Sequence, residues 1–108
     1  MQNIDPNTIY ERFIVAGKKW AELDGIASKH EEMKKSFRSQ LMNSFSEAKI
    51  NRAEMLAESS EEYCSYIEKM VESRTQANIA KAEFDAIKMW VDIVRTLESS
   101  KRAEMQLR

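Results

Sequence analysis

The chain has 108 residues, with 17 Lys and Arg against 18 Asp and Glu, 43% hydrophobic residues, two Gly, one Pro and one Cys. That length holds at most one domain; the balanced charge excludes a polybasic tail or an acidic DNA mimic built on net charge, and a single Cys excludes an intramolecular disulfide scaffold. So few Gly and Pro leave little turn chemistry for sheets or catalytic loops, and the composition predicts an all-α chain of long helices.

The longest apolar run, Phe13 to Gly17, is too short to span a bilayer or to form a signal-peptide core, and the opening residues are polar. No membrane association and a reducing cytoplasm are the expectation. The first helix start is Asp5-Pro6, where Asp can accept free backbone amides and Pro suits the first helical position. From there apolar residues recur three and four apart: Phe13, Ala16, Trp20, Leu23, Ile26 with Ala27, His30, Met33, Phe37, Leu41, Phe45 and Ala48. This predicts a helix over about residues 6–48. Gly17 and Gly25 each cost about 1 kcal/mol of helix propensity, and Asp24-Gly25 is its weakest point.

After Ala48 the stripe falters and two capping boxes follow, Asn51 with Glu54 and Ser59 with Glu62. They predict a helical corner, with a short helix over about 52–57 and a new long helix over about 60–105. The last stripe, Tyr63, Ile67, Met70, Arg74, Ala77, Ala80, Phe84, Ile87, Val91 and Val94, has the alternating spacing of a coiled-coil seam. The predicted fold is therefore a single long antiparallel helical hairpin, each arm about 60 Å long. A corner centred near residue 54 makes facing positions sum to about 109, which sets Trp20 near Trp90 and Phe37 near Val71. Arg74 interrupts the second seam and is expected to reach Glu31 or Glu32 across the hairpin.

The second half of the last helix carries a further stripe of Ile79, Ala82, Ala86, Trp90, Ile93 and Leu97, while the first helix adds Ile9, Tyr10, Ile14 and Ala21 beside its own seam. One partner helix cannot cover both, so a homodimer forming a four-helix bundle is expected, with Ile9, Tyr10, Ile14, Ile79, Ala86, Trp90, Ile93 and Leu97 as its interface.

An enzyme reading has little to stand on. One His, one Cys and two isolated Gly cannot supply a phosphate-cradling loop, a zinc tetrad or a facial iron triad. No cofactor and no metal are expected; His30 reads as a seam or flank residue, and Cys64 as a small core filler. Charge by segment says more. Residues 18–52 carry eight cations against five acids, whereas residues 54–72 carry six Glu against Lys69. Lys34, Lys35 and Arg38, with Lys49 and Arg52, form the best candidate nucleic-acid contact, weighed against a plain solvated helix face. Glu54, Glu58, Glu61 and Glu62 make an acidic tip, the candidate site for a protein partner, although acids in a first helical turn also complement the helix dipole.

Several stretches carry a resemblance: Trp20-Ala21-Glu22-Leu23-Asp24, Arg52-Ala53-Glu54-Met55-Leu56-Ala57 running into Glu62-Tyr63, Met70-Val71-Glu72-Ser73-Arg74, Ala77-Asn78-Ile79-Ala80-Lys81-Ala82, and Arg102-Ala103-Glu104-Met105. In these the chain resembles a set of small, mostly uncharacterised helical phage and prophage proteins of alpha-proteobacteria. The resemblance implies a bacterial host cell and a phage or host partner in DNA recombination or replication; it implies no site residues. Hairpin proteins of secretion systems have a similar length, but their Trp-x-Gly corner is missing, since Trp20 is followed by Ala21 and Glu22. The sequence thus predicts a non-enzymatic protein-interaction module, with direct nucleic-acid binding as the alternative.

Overall fold

The computed structural model of the chain describes residues 5–45 and 49–107. They form three helices and, among the described residues, no strand: α1 (Pro6–Ser44), α2 (Ile50–Glu58) and α3 (Glu61–Leu107). The predicted end of the first helix, near residue 48, lies outside the described residues. Asp5 caps α1 as its sequence requires, its carboxylate accepting the Asn7 amide at 3.0 Å and the Thr8 hydroxyl at 3.2 Å. α1 continues without interruption through Asp24-Gly25.

Both capping boxes are corrected. α2 begins after Lys49, whose backbone is extended and whose side chain makes no cap hydrogen bond, so Asn51 already lies inside the helix. Ser59 closes α2 instead of opening α3: its hydroxyl donates to the carbonyls of Met55 and Leu56. Ser60 does the capping, accepting the Tyr63 amide at 3.2 Å while its own hydroxyl donates to the Ala57 carbonyl at 2.7 Å.

Contacts divide the chain into two compact units, one of the residues up to Glu22 with those from Asn78 onward, the other Leu23–Ala77. In the first, Ile9, Val91 and Val94 form a buried core against which Tyr10, Phe13, Ile87 and Trp90 pack. Phe84 stacks on Phe13 at 4.9 Å between centroids and lies 5.4 Å from Trp20. Its ring comes close to α1 because Gly17 has no side chain; a Cβ there would sit 3.2 Å from Phe84 Cε2. In the second unit Phe37 stacks on Tyr66 at 4.5 Å, and the Tyr66 hydroxyl donates to the His30 carbonyl at 2.6 Å. Ala27, Ala53, Ala57 and Ala77 are all buried there, small side chains that let backbones approach closely.

The α3 seam is the one expected: Ala77, Ala80, Val91 and Val94 are buried, and Tyr63, Ile67, Met70, Arg74, Phe84 and Ile87 are half-buried. The α1 seam is also largely the one expected, with Ala16 and Ala27 buried and Phe13, Trp20, Leu23, His30, Phe37 and Leu41 half-buried, but it departs at three positions. Ile26, Met33 and Phe45 are exposed, and the inward positions are Ala27 and half-buried Lys34. Register differs as well. Trp20 meets Phe84 rather than Trp90, and Phe37 meets Tyr66 rather than Val71. In each unit facing numbers sum to about 102, as in Lys19 with Glu83 and Phe37 with Tyr66, not to about 109. The slip is close to one heptad, the shift to which a seven-residue repeat is least sensitive. Cys64 is exposed rather than a core filler, because it lies about 100° round α3 from the seam residue Tyr63.

Candidate functional site

α3 is asymmetric about its seam. In the first unit the seam positions are Ala80, Phe84, Ile87, Val91 and Val94. The residue after each is Lys81, Asp85, Lys88, Asp92 and Arg95, all charged and all exposed. The residue before each is Ile79, Glu83, Ala86, Trp90 and Ile93, and Leu97 continues that row. One residue is about 100° of helix, so the seam has a charged flank on one side and an almost uncharged flank on the other. The charged flank alternates in sign at steps of four and three, the pattern of a solvated helix face.

The uncharged flank is apolar and open. Ile79 is 49% exposed, Ile93 40% and Leu97 58%, with Met89 beside them at 65%. Glu83 is its one charge, and Lys19 of α1 lies 3.7 Å from it. Arg12, Glu83, Ala86, Ile87 and Trp90 line an open groove of about 450 Å³ along this flank. Arg12 and Lys19 therefore border the apolar row, and Lys81 on the opposite flank lies 5.9 Å over the Trp20 ring.

The structure brings together five of the eight residues expected at a dimer interface: Ile79, Ala86, Trp90, Ile93 and Leu97. Ile9 does not join them, because it is 2% exposed inside the chain's own core. Tyr10 and Trp90 both pack partly against that core and are half-buried, so each has only part of its surface left for a further contact. Ile14 is 57% exposed and lies two residues, about 200° round α1, from Arg12 of the groove.

The basic and acidic candidates sit in the second unit and partly neutralise each other. Arg38 of α1 holds Glu54 at 3.5 Å and Glu58 at 3.3 Å, both on α2. Half-buried Lys34 and exposed Lys35 share a groove of about 540 Å³ with Arg38, Glu31, Glu58 and Tyr63. Lys49 and Arg52 line a different concavity with Ile50, Asn51 and Met55. The five cations thus make no continuous basic track. Glu61 and Glu62 stand in the first turn of α3, where the helix dipole favours acids.

Arg74 ties α3 to α1 through four hydrogen bonds. Its guanidinium donates to Glu31 at 2.7 and 2.9 Å, to Asp24 at 2.7 Å and to Ser28 at 3.4 Å. The Glu31 carboxyl is held below its ordinary value of 4.5, chiefly by the hydrogen bond from Arg74. Sequence reasoning found the Glu31 contact but missed Asp24, two turns earlier on α1. Beside this node His30 Nδ1 lies 3.0 Å from the Ser73 hydroxyl, and its ring meets Tyr66 edge-on. Among the described residues no group of three or more His, Cys, Asp or Glu could hold a metal ion, and no helix is long and apolar enough to cross a membrane. Comparison with protein families, with curated proteins and with solved structures finds no match to this chain.

Proposed function

We propose that the chain is a non-enzymatic protein-interaction module whose working surface is the apolar flank of α3. The observation that carries this reading is the asymmetry of α3 between Ile79 and Leu97. Five exposed charges line one side of the seam, while Ile79, Ala86, Trp90, Ile93 and Leu97 line the other with Glu83 alone among them. A helix that needs only one partner has no use for a second apolar row, and a row bordered by polar residues is the anatomy of a protein contact. Trp90 is the natural anchor, since an indole combines a large apolar area with one donor. In the phage setting that the sequence resemblance implies, the module serves a protein of DNA recombination or replication in the bacterial cytoplasm, and assembly as a homodimeric four-helix bundle is the simplest way to cover its flank.

Direct nucleic-acid binding through Lys34, Lys35, Arg38, Lys49 and Arg52 has less support. Arg38 is committed to Glu54 and Glu58, and phosphate tracking needs cations whose charge is not already offset. The test is a photoreactive residue placed at Ile93 or, as control, at Asp92 on the charged flank, with the chain expressed in bacterial cells. Discrete protein adducts from position 93 and none from 92 are expected, with loss of the adducts in a Trp90→Glu variant. Equal labelling from both positions, or none from 93, would overturn the interaction reading.

A further inference from the structure

We infer that the occupant of the apolar flank is a second copy of this chain, packed antiparallel so that Ala86 of each copy receives Trp90 of the other. This rests on the interaction reading above and deepens it by giving the homodimer its orientation and its register. The flank is Ile79, Glu83, Ala86, Trp90, Ile93 and Leu97, at steps of four, three, four, three and four. That spacing makes it a heptad seam in its own right, able to pack with another helix as a coiled-coil pair does.

The row is self-complementary when reversed. Reflection about position 88 sets Ile79 against Leu97, Glu83 against Ile93 and Ala86 against Trp90, so a two-fold axis maps every seam position onto another seam position. The only strong size contrast in the row, Ala86 and Trp90, then becomes a fit of large into small, made twice across the axis. Parallel pairing would instead stack Trp90 on Trp90, leave Ala86 facing Ala86 and set Glu83 against Glu83, a cavity and a like-charge contact in place of complementarity.

The pocket is already present. Arg12, Glu83, Ala86, Ile87 and Trp90 bound the groove of about 450 Å³ into which a partner's indole would enter. There its face meets the Arg12 guanidinium and its N–H can donate to the Glu83 carboxylate. Glu83 brings no uncompensated charge into such an interface, because Lys19 of its own chain accompanies it. The row spans 18 residues from its first to its last member, about 27 Å of helix. That length gives three reciprocal layers of contact on each side of the axis, and the exposed Ile79, Ile93 and Leu97 leave water together with the part of half-buried Trp90 that its own core leaves uncovered.

Cross-linking from single cysteines tests the orientation, in a Cys64→Ser background so that the exposed native thiol is silent. Ile79→Cys and Leu97→Cys are exposed positions, and circular dichroism checks that each variant keeps its helices. A mixture of the two variants with a short bismaleimide is expected to give covalent dimers. Each variant alone is expected to give none, because its own thiols lie about 27 Å apart in the pair. Sedimentation at tens of micromolar is expected to show a dimer. Trp90→Ala should weaken it by about 30-fold or more, as loss of an interface anchor does, and the swap Ala86→Trp with Trp90→Ala should recover much of that loss. Cross-links from each variant alone, or dimers indifferent to Trp90→Ala, would overturn the antiparallel fit. A wild type that is monomeric at 100 micromolar would overturn the second copy as occupant; adducts from position 93 in cells would then still support the interaction reading, and their absence would end both.

Discussion

The two glycines give the most direct test of the α1 to α3 packing, because they share a helix and differ in what stands over them. Both lie inside α1, where Gly is less favourable than Ala by about 1 kcal/mol. A Cβ at Gly25 meets nothing within 4 Å, so Gly25→Ala should stabilise the fold by about 1 kcal/mol. A Cβ at Gly17 would stand 3.2 Å from Phe84 Cε2 and 3.6 Å from Cδ2. The Phe84 ring has little freedom to retreat, with Phe13 stacked on it at 4.9 Å and Trp20 tilted against it at 5.4 Å. Overpacking of this kind costs about 1–3 kcal/mol, which cancels or exceeds the helical gain. We expect Gly17→Ala to be neutral to destabilising by about 2 kcal/mol, and thus to fall about 1–3 kcal/mol below Gly25→Ala.

The assay is urea unfolding followed by circular dichroism at a fixed low micromolar concentration, since self-association would add a concentration-dependent term. Adding Phe84→Leu supplies the internal control: with the ring gone, Gly17→Ala should regain the benefit seen at Gly25. Equal stabilisation by Gly17→Ala and Gly25→Ala in the Phe84 background would refute the reasoning, since it would mean that Phe84 does not pack over Gly17. A destabilising Gly25→Ala would show that α1 does not pass position 25 as an ordinary open helix.

Three further outcomes follow from single contacts. Ser60→Ala should cost about 1 kcal/mol by removing the cap on the Tyr63 amide, whereas Ser59→Ala should stay within about 0.5 kcal/mol, and chemical unfolding of the two variants distinguishes Ser60 from Ser59 as the start of α3. Tyr66→Phe keeps the stack on Phe37 but loses the 2.6 Å bond to the His30 carbonyl, for an expected loss of about 0.5–1.5 kcal/mol; a loss of 3 kcal/mol or more would show that the ring stack had been disturbed too. Glu31 is held below 4.5 in the folded chain, so its contribution is present above that pH and is lost as pH falls through its lowered folded value. Arg74→Leu should therefore differ most from the wild type near neutral pH and converge with it in acid, and parallel stability profiles over that range would discount the Arg74 to Glu31 contact.

What was legible in the sequence depended on how sharply each signal marked one residue. Asp5-Pro6 marks one start and has one reading. The α3 seam was legible because its apolar residues keep steps of four and three from Tyr63 to Val94 with one break, at Arg74, whereas the second apolar row starts only at Ile79. The α1 seam was ambiguous where apolar residues stand at adjacent positions: Ile26 and Ala27 both satisfy the repeat, and only the smaller one is buried. At the next turn but one the inward position is Lys34, whose aliphatic stem can lie along the seam while its ammonium reaches water. Ser59 and Ser60 are adjacent candidates for one cap, and the Glu three residues after Ser59 drew the assignment one position early. At the candidate site, the apolar stripe of α3 could be read from spacing alone. Its neighbours on α1 could not, because periodicity does not tell which flank of one helix lies beside which flank of the other until register is known. Ile9, which the chain's own core buries, was misassigned for that reason.

Register also links the fold to the proposed surface. A heptad seam still sets apolar positions against apolar positions when one helix slides by seven residues, so the repeat by itself does not choose the register, although the fit of Phe84 over Gly17 favours the observed one. The charges favour it too. With facing numbers near 102, Arg74 lies opposite Ser28 with Asp24 and Glu31 on either side, and Glu83 lies beside Lys19. With facing numbers near 109, Arg74 would stand opposite Lys35 and Glu83 opposite Ile26. Exposed ion pairs contribute little singly, but the comparison here is between attraction and repulsion for Arg74, and between a paired and an unpaired acid for Glu83. The consequence for Glu83 reaches beyond the chain's own stability. An unpaired carboxylate within the row from Ile79 to Leu97 would oppose burial of that row against any partner. The register that places Lys19 beside Glu83 gives the one carboxylate of the flank a counter-charge, so on the proposed reading the same contact that orders α1 on α3 also lowers the cost of covering that flank.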